Sequence, residues 1–166
     1  MTGPGGHRAG APGTDGPGPM RDGEATADGG LAFRFAATAP ALTGAQARLS
    51  SFLDAAGLSA RVVGRAELLL EELVLNVVQH AGLADPGAET IGLEAVPMPS
   101  GGCRITLDLP GPAFDPTAAA LPARPGSIET AEVGGLGLVL LRRLGQDLAY
   151  ARLPEGRNRV GFSLAG

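Results

Sequence analysis

Between Ser59 and Gly82 the sequence writes one long helix with a broad apolar face. At about 100° per residue, Leu69, Leu70, Leu73, Val74, Val77 and Val78 fall together, and a face that wide must be covered by a second layer. Ser59 is placed to cap the helix start, and Gly82 follows its end. The covering layer is written on both sides of this helix. "LAFRFAATA" (31–39) alternates Leu31, Phe33 and Phe35 with small or charged residues, as a strand does. "ETIGLEAVP" (89–97) and "CRITLDLP" (103–110) read as two more strands, and Ser100, Gly101 and Gly102 between them predict a hairpin. Pro40 opens a second helix that ends at Gly57. Residues 111–134, rich in Pro, Ala and Gly, read as a long loop. Residues 134–148 begin with glycines and become helical, and "LAYARL" (148–153) and "RVGFSL" (159–164) are strands about a turn at 155–158. The order β α α β β, loop, α β β predicts an α+β two-layer sandwich, its strands mainly antiparallel and packed on helices.

The first 30 residues hold 10 glycines, 4 prolines and no aromatic side chain. Such a segment buries too little apolar surface to offset its ordering entropy. Residues 1–30 are therefore expected to be a disordered tail, and 31–166 one folded domain. The tail has no continuous apolar core after its charges, so it does not read as a signal peptide. No run approaches the roughly 18 apolar residues of a membrane span. A net charge of −4 argues against a nucleic-acid partner. The single cysteine rules out an intrachain disulfide and fits a reducing, cytoplasmic setting. All 13 basic residues are arginine. Without lysine the chain cannot be a P-loop enzyme, a eukaryotic-type protein kinase or a Schiff-base enzyme. Two histidines, one of them His7 in the tail, exclude a multi-histidine metal site.

Within the long helix, Glu72, Asn76 and His80 stand four residues apart, in line beside the apolar face. One reading is a solvated helix edge. The other is a stripe that faces a polar ligand, because a carboxylate and an amide oxygen suit a hard cation such as magnesium, which also takes substrate phosphates. In "VGGLGLVLLRRLG" (133–145), Gly134, Gly135 and Gly137 precede or open a helix. They serve either a tight turn or the close approach of backbone N–H groups to an anion, which the helix dipole also favours. The two features together point to a nucleotide triphosphate.

"AELLLEELVLNVVQHAG" (66–82) resembles the N box of the GHKL ATPase superfamily, which includes gyrase, chaperone, histidine-kinase and mismatch-repair ATPases. "PGPAFDPTA" (110–118) resembles the first glycine box, and "GGLGLVLLRRLGQDLAYARLPEGRNRVGFSL" (134–164) the second glycine box with a final hairpin. The "FDP" and the "GGLGL…D…GRN" ending resemble the branch of bacterial anti-sigma factor serine kinases. The resemblance implies a Bergerat-type ATP-binding fold, with ATP and magnesium as cofactors. By its matches, Asn76 would hold magnesium, Glu72 would be the general base, and His80 would stand near the end of the box. Gly134, Gly135 and Gly137 would wrap the phosphates, and Gly111 would pass close to the adenine. One position departs from the pattern: Leu109 stands where the family has the aspartate that accepts from the adenine amino group, and Asp108 lies one residue earlier. Strand alternation puts Leu109 on the apolar side with Ile105 and Leu107, and Asp108 on the other.

The function implied is an ATP-dependent serine/threonine protein kinase and regulator, with an anti-sigma antagonist as substrate and a sigma factor as second partner. Family members often dimerise, so a homodimer belongs to the expectation. Leu109 motivates an alternative, a non-catalytic partner-switch module of the same fold with weak or lost ATP binding. A third reading, an ATP-binding fragment of a phosphorelay, requires a separate dimerisation domain.

Overall fold

The computed structural model describes residues 26, 28–118 and 135–166. Its elements are β1 (Leu31–Ala36), α1 (Ala39–Ala55), α2 (Ala60–His80), β2 (Thr90–Pro97), β3 (Cys103–Leu109), α3 (Gly135–Leu144), β4 (Gln146–Arg152) and β5 (Asn158–Leu164). The strands form one five-stranded sheet in the order β1-β2-β3-β5-β4, every neighbouring pair antiparallel. The helices pack on one face, so the α+β two-layer architecture holds. Among the described residues no helix is long and apolar enough to cross a membrane.

Local chemistry sets the boundaries. Thr38 caps α1 by accepting from the Ala41 N–H at 3.4 Å, and Ser59 does the same for α2 from the Val62 N–H at 3.4 Å. Gly57 and Gly82 follow the two helices at positive φ (79° and 60°), a region in which only glycine is unstrained. The β2–β3 hairpin closes through Met98 N–H to the Gly102 carbonyl, with Gly101 at φ 81°. Cys103, Ile105, Leu107 and Leu109 point into the core, where they meet Val160, Phe162 and the apolar face of α2. Arg104, Thr106 and Asp108 point to the opposite face, as the pleat requires.

Two boundaries differ from expectation. The helix expected over 134–148 ends at Leu144. A Cβ on Gly145 would stand 2.6 Å from the Leu141 carbonyl, so glycine is needed where the chain turns out of the helix. The following strand begins at Gln146, two residues early, through an irregularity between Gln146 and Ala149 that holds Asp147 at φ 49°. At the N-terminal end, hydrogen bonding reaches back to Thr26. Its hydroxyl accepts from the Gly30 N–H at 2.8 Å, and Gly30 packs so closely that a Cβ would stand 2.8 Å from the Ala95 carbonyl. Residues 1–25, residue 27 and residues 119–134 lie outside the described residues, and with them most of the expected tail and loop.

Candidate functional site

The polar line of α2 runs along the wall of a cavity of about 420 Å³. Asn76 and His80 line it, with Leu73, Val77 and Ala81 of the same helix end. Glu72 is not part of that lining; it sits one turn earlier in α2, under the first turn of α3. There Gly137 leaves no room for a side chain: a Cβ would stand 2.8 Å from Glu72 Oε2, 3.1 Å from Glu72 Cβ and 3.2 Å from Asn76 Nδ2. The carboxylate and the amide, separated in the sequence only by helical spacing, thus meet at the N-terminal end of another helix. The N-terminal end of a helix offers backbone N–H groups without partners inside the helix and the positive pole of the helix dipole, which favours anions. Gly135 is the first residue of α3. Gly134 lies outside the described residues.

The opposite wall comes from the end of β3 and the loop that follows. Leu109, only 5% exposed, and Pro110 line the cavity. Gly111 has φ 112°, and a Cβ on it would stand 2.7 Å from the Ala81 Cβ. Glycine is required there on both counts, because backbone and helix end touch. Pro112, Ala113 and Phe114 complete the wall, and Phe114 stands 44% exposed at the mouth. Asp108 does not take part. Of the two residues considered for the adenine end, it faces the outer side of the sheet, where Arg159 Nε and Nη2 donate to its two oxygens at 2.6 and 2.7 Å. This ion pair raises the Arg159 pKa further, because the guanidinium bonds a carboxylate that is only 3% exposed.

Sequence reasoning quoted Asn158 without giving it a role. The structure buries it in the cavity wall beside Val160, in register with Leu109. Arg142 and Arg152 both bind main-chain carbonyls of the loop after β3. Arg142 donates to the Pro116 and Thr117 carbonyls, at 3.0 and 3.1 Å from Nη2. Arg152 Nη1 donates to the Gly111 carbonyl at 2.9 Å. In the same loop the Thr117 hydroxyl donates to Asp115 at 2.6 Å. That bond, then the Thr117 and Ala118 N–H groups and nearby Arg142, hold the Asp115 carboxyl below its usual range.

The cavity is therefore mostly apolar, with Asn76, His80 and Asn158 as its polar side chains, in the size range of small-molecule sites. Among the described residues no group of three or more His, Cys, Asp or Glu could hold a metal by itself. The Glu72 carboxylate beneath Gly137, with the Asn76 amide beside it, fits magnesium in its donor chemistry, since that ion is usually held by few protein ligands and completed by phosphates and water.

A family model of the histidine kinase-like ATPase domain matches residues 35–163, from β1 to β5. No curated protein matches the sequence. The structure of the RsbU and RsbW domains of Rv1364c from Mycobacterium tuberculosis is similar at TM-score 0.58 and 17% identity, over 82% of this chain. This chain spans only 32% of that longer one. The SiaB–SiaC complex from Pseudomonas aeruginosa gives TM-score 0.57 and 15% identity, over 82% of this chain and 89% of the other. At these identities the structures share a fold. The family match includes α2, β3 and β5, and with them most of the cavity wall: the chain belongs to the histidine kinase-like ATPase domain family.

Proposed function

We propose that the protein binds ATP in this cavity and is a serine/threonine protein kinase of the anti-sigma type, acting in the cytoplasm on a small antagonist protein and regulating a sigma factor. The observation that carries the reading is the meeting of Glu72 and Asn76 under Gly137, beside an apolar cavity. The base would lie against Leu109, Ala81 and the Gly111 turn. The triphosphate would reach the start of α3, where Gly135 and Gly137 would let backbone N–H groups bind it. Asn76 would hold magnesium, which supplies charge neutralisation at the phosphates. Glu72 takes the proton of a seryl hydroxyl, whose oxygen forms a bond to the γ-phosphorus as the bond to ADP breaks. His80 lines the ligand side of the cavity one turn beyond Asn76. The SiaB fold was solved with a protein partner, SiaC, which supports a protein substrate.

Titration calorimetry with magnesium-ATP, followed by phosphate transfer to co-purified partners, tests this. Glu72→Gln keeps nucleotide binding and loses transfer; unchanged transfer removes Glu72 from the role. One observation favours a second reading. Leu109 occupies the adenine end, and Asp108 is committed to Arg159. A non-catalytic partner-switch module would keep the fold and show no binding at millimolar ATP.

A further inference from the structure

Two side chains hold the mouth-side wall of the cavity. Asn158, 4% exposed, accepts at Oδ1 from the Phe114 N–H (3.1 Å), the Tyr150 hydroxyl (2.9 Å) and Arg152 Nη1 (2.9 Å). Its Nδ2 donates to the Pro112 carbonyl at 2.9 Å. Arg152 Nη1 also donates to the Gly111 carbonyl. Three backbone groups of one short segment, at 111, 112 and 114, are thus bound by side chains of the β4–β5 hairpin. The segment has few other means of order. Pro110 and Pro112 have no N–H for a ladder, and Pro112, Ala113 and Phe114 are exposed, so little apolar burial fixes them. Polar clasping substitutes for packing here. An amide suits the position because its oxygen accepts, one donor being a charged guanidinium, while its NH2 donates, and no charge is carried into the cavity.

We infer that Asn158, supported by Tyr150 and Arg152, is a positioning residue that sets the Gly111–Phe114 wall at the distance the ligand requires. For ligand affinity this rests on the nucleotide reading given above; the clasp itself does not. Asn158→Asp separates the two parts of the role. It keeps an acceptor for Phe114, Tyr150 and Arg152 but has no N–H for Pro112, whose carbonyl then faces an oxygen. The Asp variant stays folded with a lower urea midpoint, because a buried bond is lost, and binds magnesium-ATP about tenfold more weakly, because the ligand must then order the Pro112 part of the wall itself. Tyr150→Phe removes one of three donors and weakens binding about threefold.

Amide hydrogen exchange provides the arm that needs no nucleotide. In Asn158→Ala the Phe114 amide exchanges at least about tenfold faster while the Leu107 amide in β3 is unchanged, because the clasp opens without the sheet. If Asn158→Ala does not fold, Arg152→Ala removes the bond to the Gly111 carbonyl and one donor that holds Asn158, and the Phe114 amide again exchanges faster. Wild type that binds no magnesium-ATP refutes the nucleotide reading, and exchange at Phe114 then decides the clasp alone. Wild-type affinity in Asn158→Asp refutes the positioning role toward ligand. Unchanged exchange at Phe114 in the folded Ala variants refutes the clasp.

Discussion

Leu109→Asp is the substitution that most sharply divides the readings of this site. Leu109 is 5% exposed in the cavity wall, in register with Asn158. Removing its aliphatic chain from the core costs about 2–5 kcal/mol, as for other large-to-small changes. The new carboxylate faces the cavity, where water reaches it, so its desolvation is partial. The free variant should therefore unfold at lower urea. With adenine in place, the same carboxylate accepts from the exocyclic amino group, a charge-assisted bond of about 1.5–3 kcal/mol. That corresponds to about 10- to 150-fold tighter binding. Guanine presents a carbonyl at the same position and gains nothing, so preference for ATP over GTP should rise by a similar factor. Calorimetry with both nucleotides reads the affinities, and urea melts with and without ligand read the linkage: saturating ATP recovers more stability in the variant than in wild type. The wild type, in turn, should bind ATP weakly and discriminate poorly. Loss of ATP binding in Asp108→Asn, with no gain in Leu109→Asp, would refute this reasoning and make the Arg159-bound carboxylate the adenine ligand.

Two further predictions follow from close packing and burial. Gly137→Ala forces apart α3 and the Glu72–Asn76 pair and costs about 1–3 kcal/mol of stability in urea melts, with loss of magnesium-ATP binding. Gly64→Ala at an exposed position of α2, where a Cβ meets nothing within 4 Å, stabilises instead by about 0.8–1 kcal/mol and serves as its control. Burial pushes the Cys103 thiol from 9.0 up to about 11. The folded state therefore keeps a proton that the unfolded chain releases first, so stability is constant below pH 9 and falls as pH rises toward about 11. Melts across that range in the wild type and in Cys103→Ser, which lacks the slope, check this, and alkylation of native Cys103 at pH 8 should be slow.

What could be read in the sequence was what depends on local spacing. Helical periodicity put Glu72, Asn76 and His80 in line, and strand alternation turned Leu109 inward and Asp108 outward, as observed. The caps at Ser59 and Gly82 are likewise local chemistry. What could not be read depends on which elements meet. The contact of Gly137 with Glu72 needs α3 docked on α2. The clasp at Asn158 needs β5 paired with β3, because its partners lie at 112, 114, 150 and 152. The early start of β4 turns on Gly145 and Asp147, where a helical pattern and a strand pattern overlap and only the packing of Gly145 near Leu141 and Phe162 decides between them. A signal for Asn158 was nevertheless present: an amide between Arg157 and Arg159, next to a hairpin turn, is an unusual choice for a residue that enters the core.

Because β5 lies between β3 and β4, the last strand in the chain is an interior strand of the sheet. Asp108 and Arg157, whose guanidinium donates to the Asp108 carbonyl at 3.0 Å, stand 49 positions apart. Closing that separation is an entropic cost met before the pairing returns anything. With β1, β2, β3 and both long helices in place but β5 not yet paired, Asn158 and Val160 would be missing from the cavity wall. Until β5 pairs, β3 presents an open edge, and the Gly111–Phe114 segment lacks the bonds that Arg152 and Asn158 make to it. A chain cut just before β5 would therefore lose the closure of the sheet and one wall of the cavity in the same stroke.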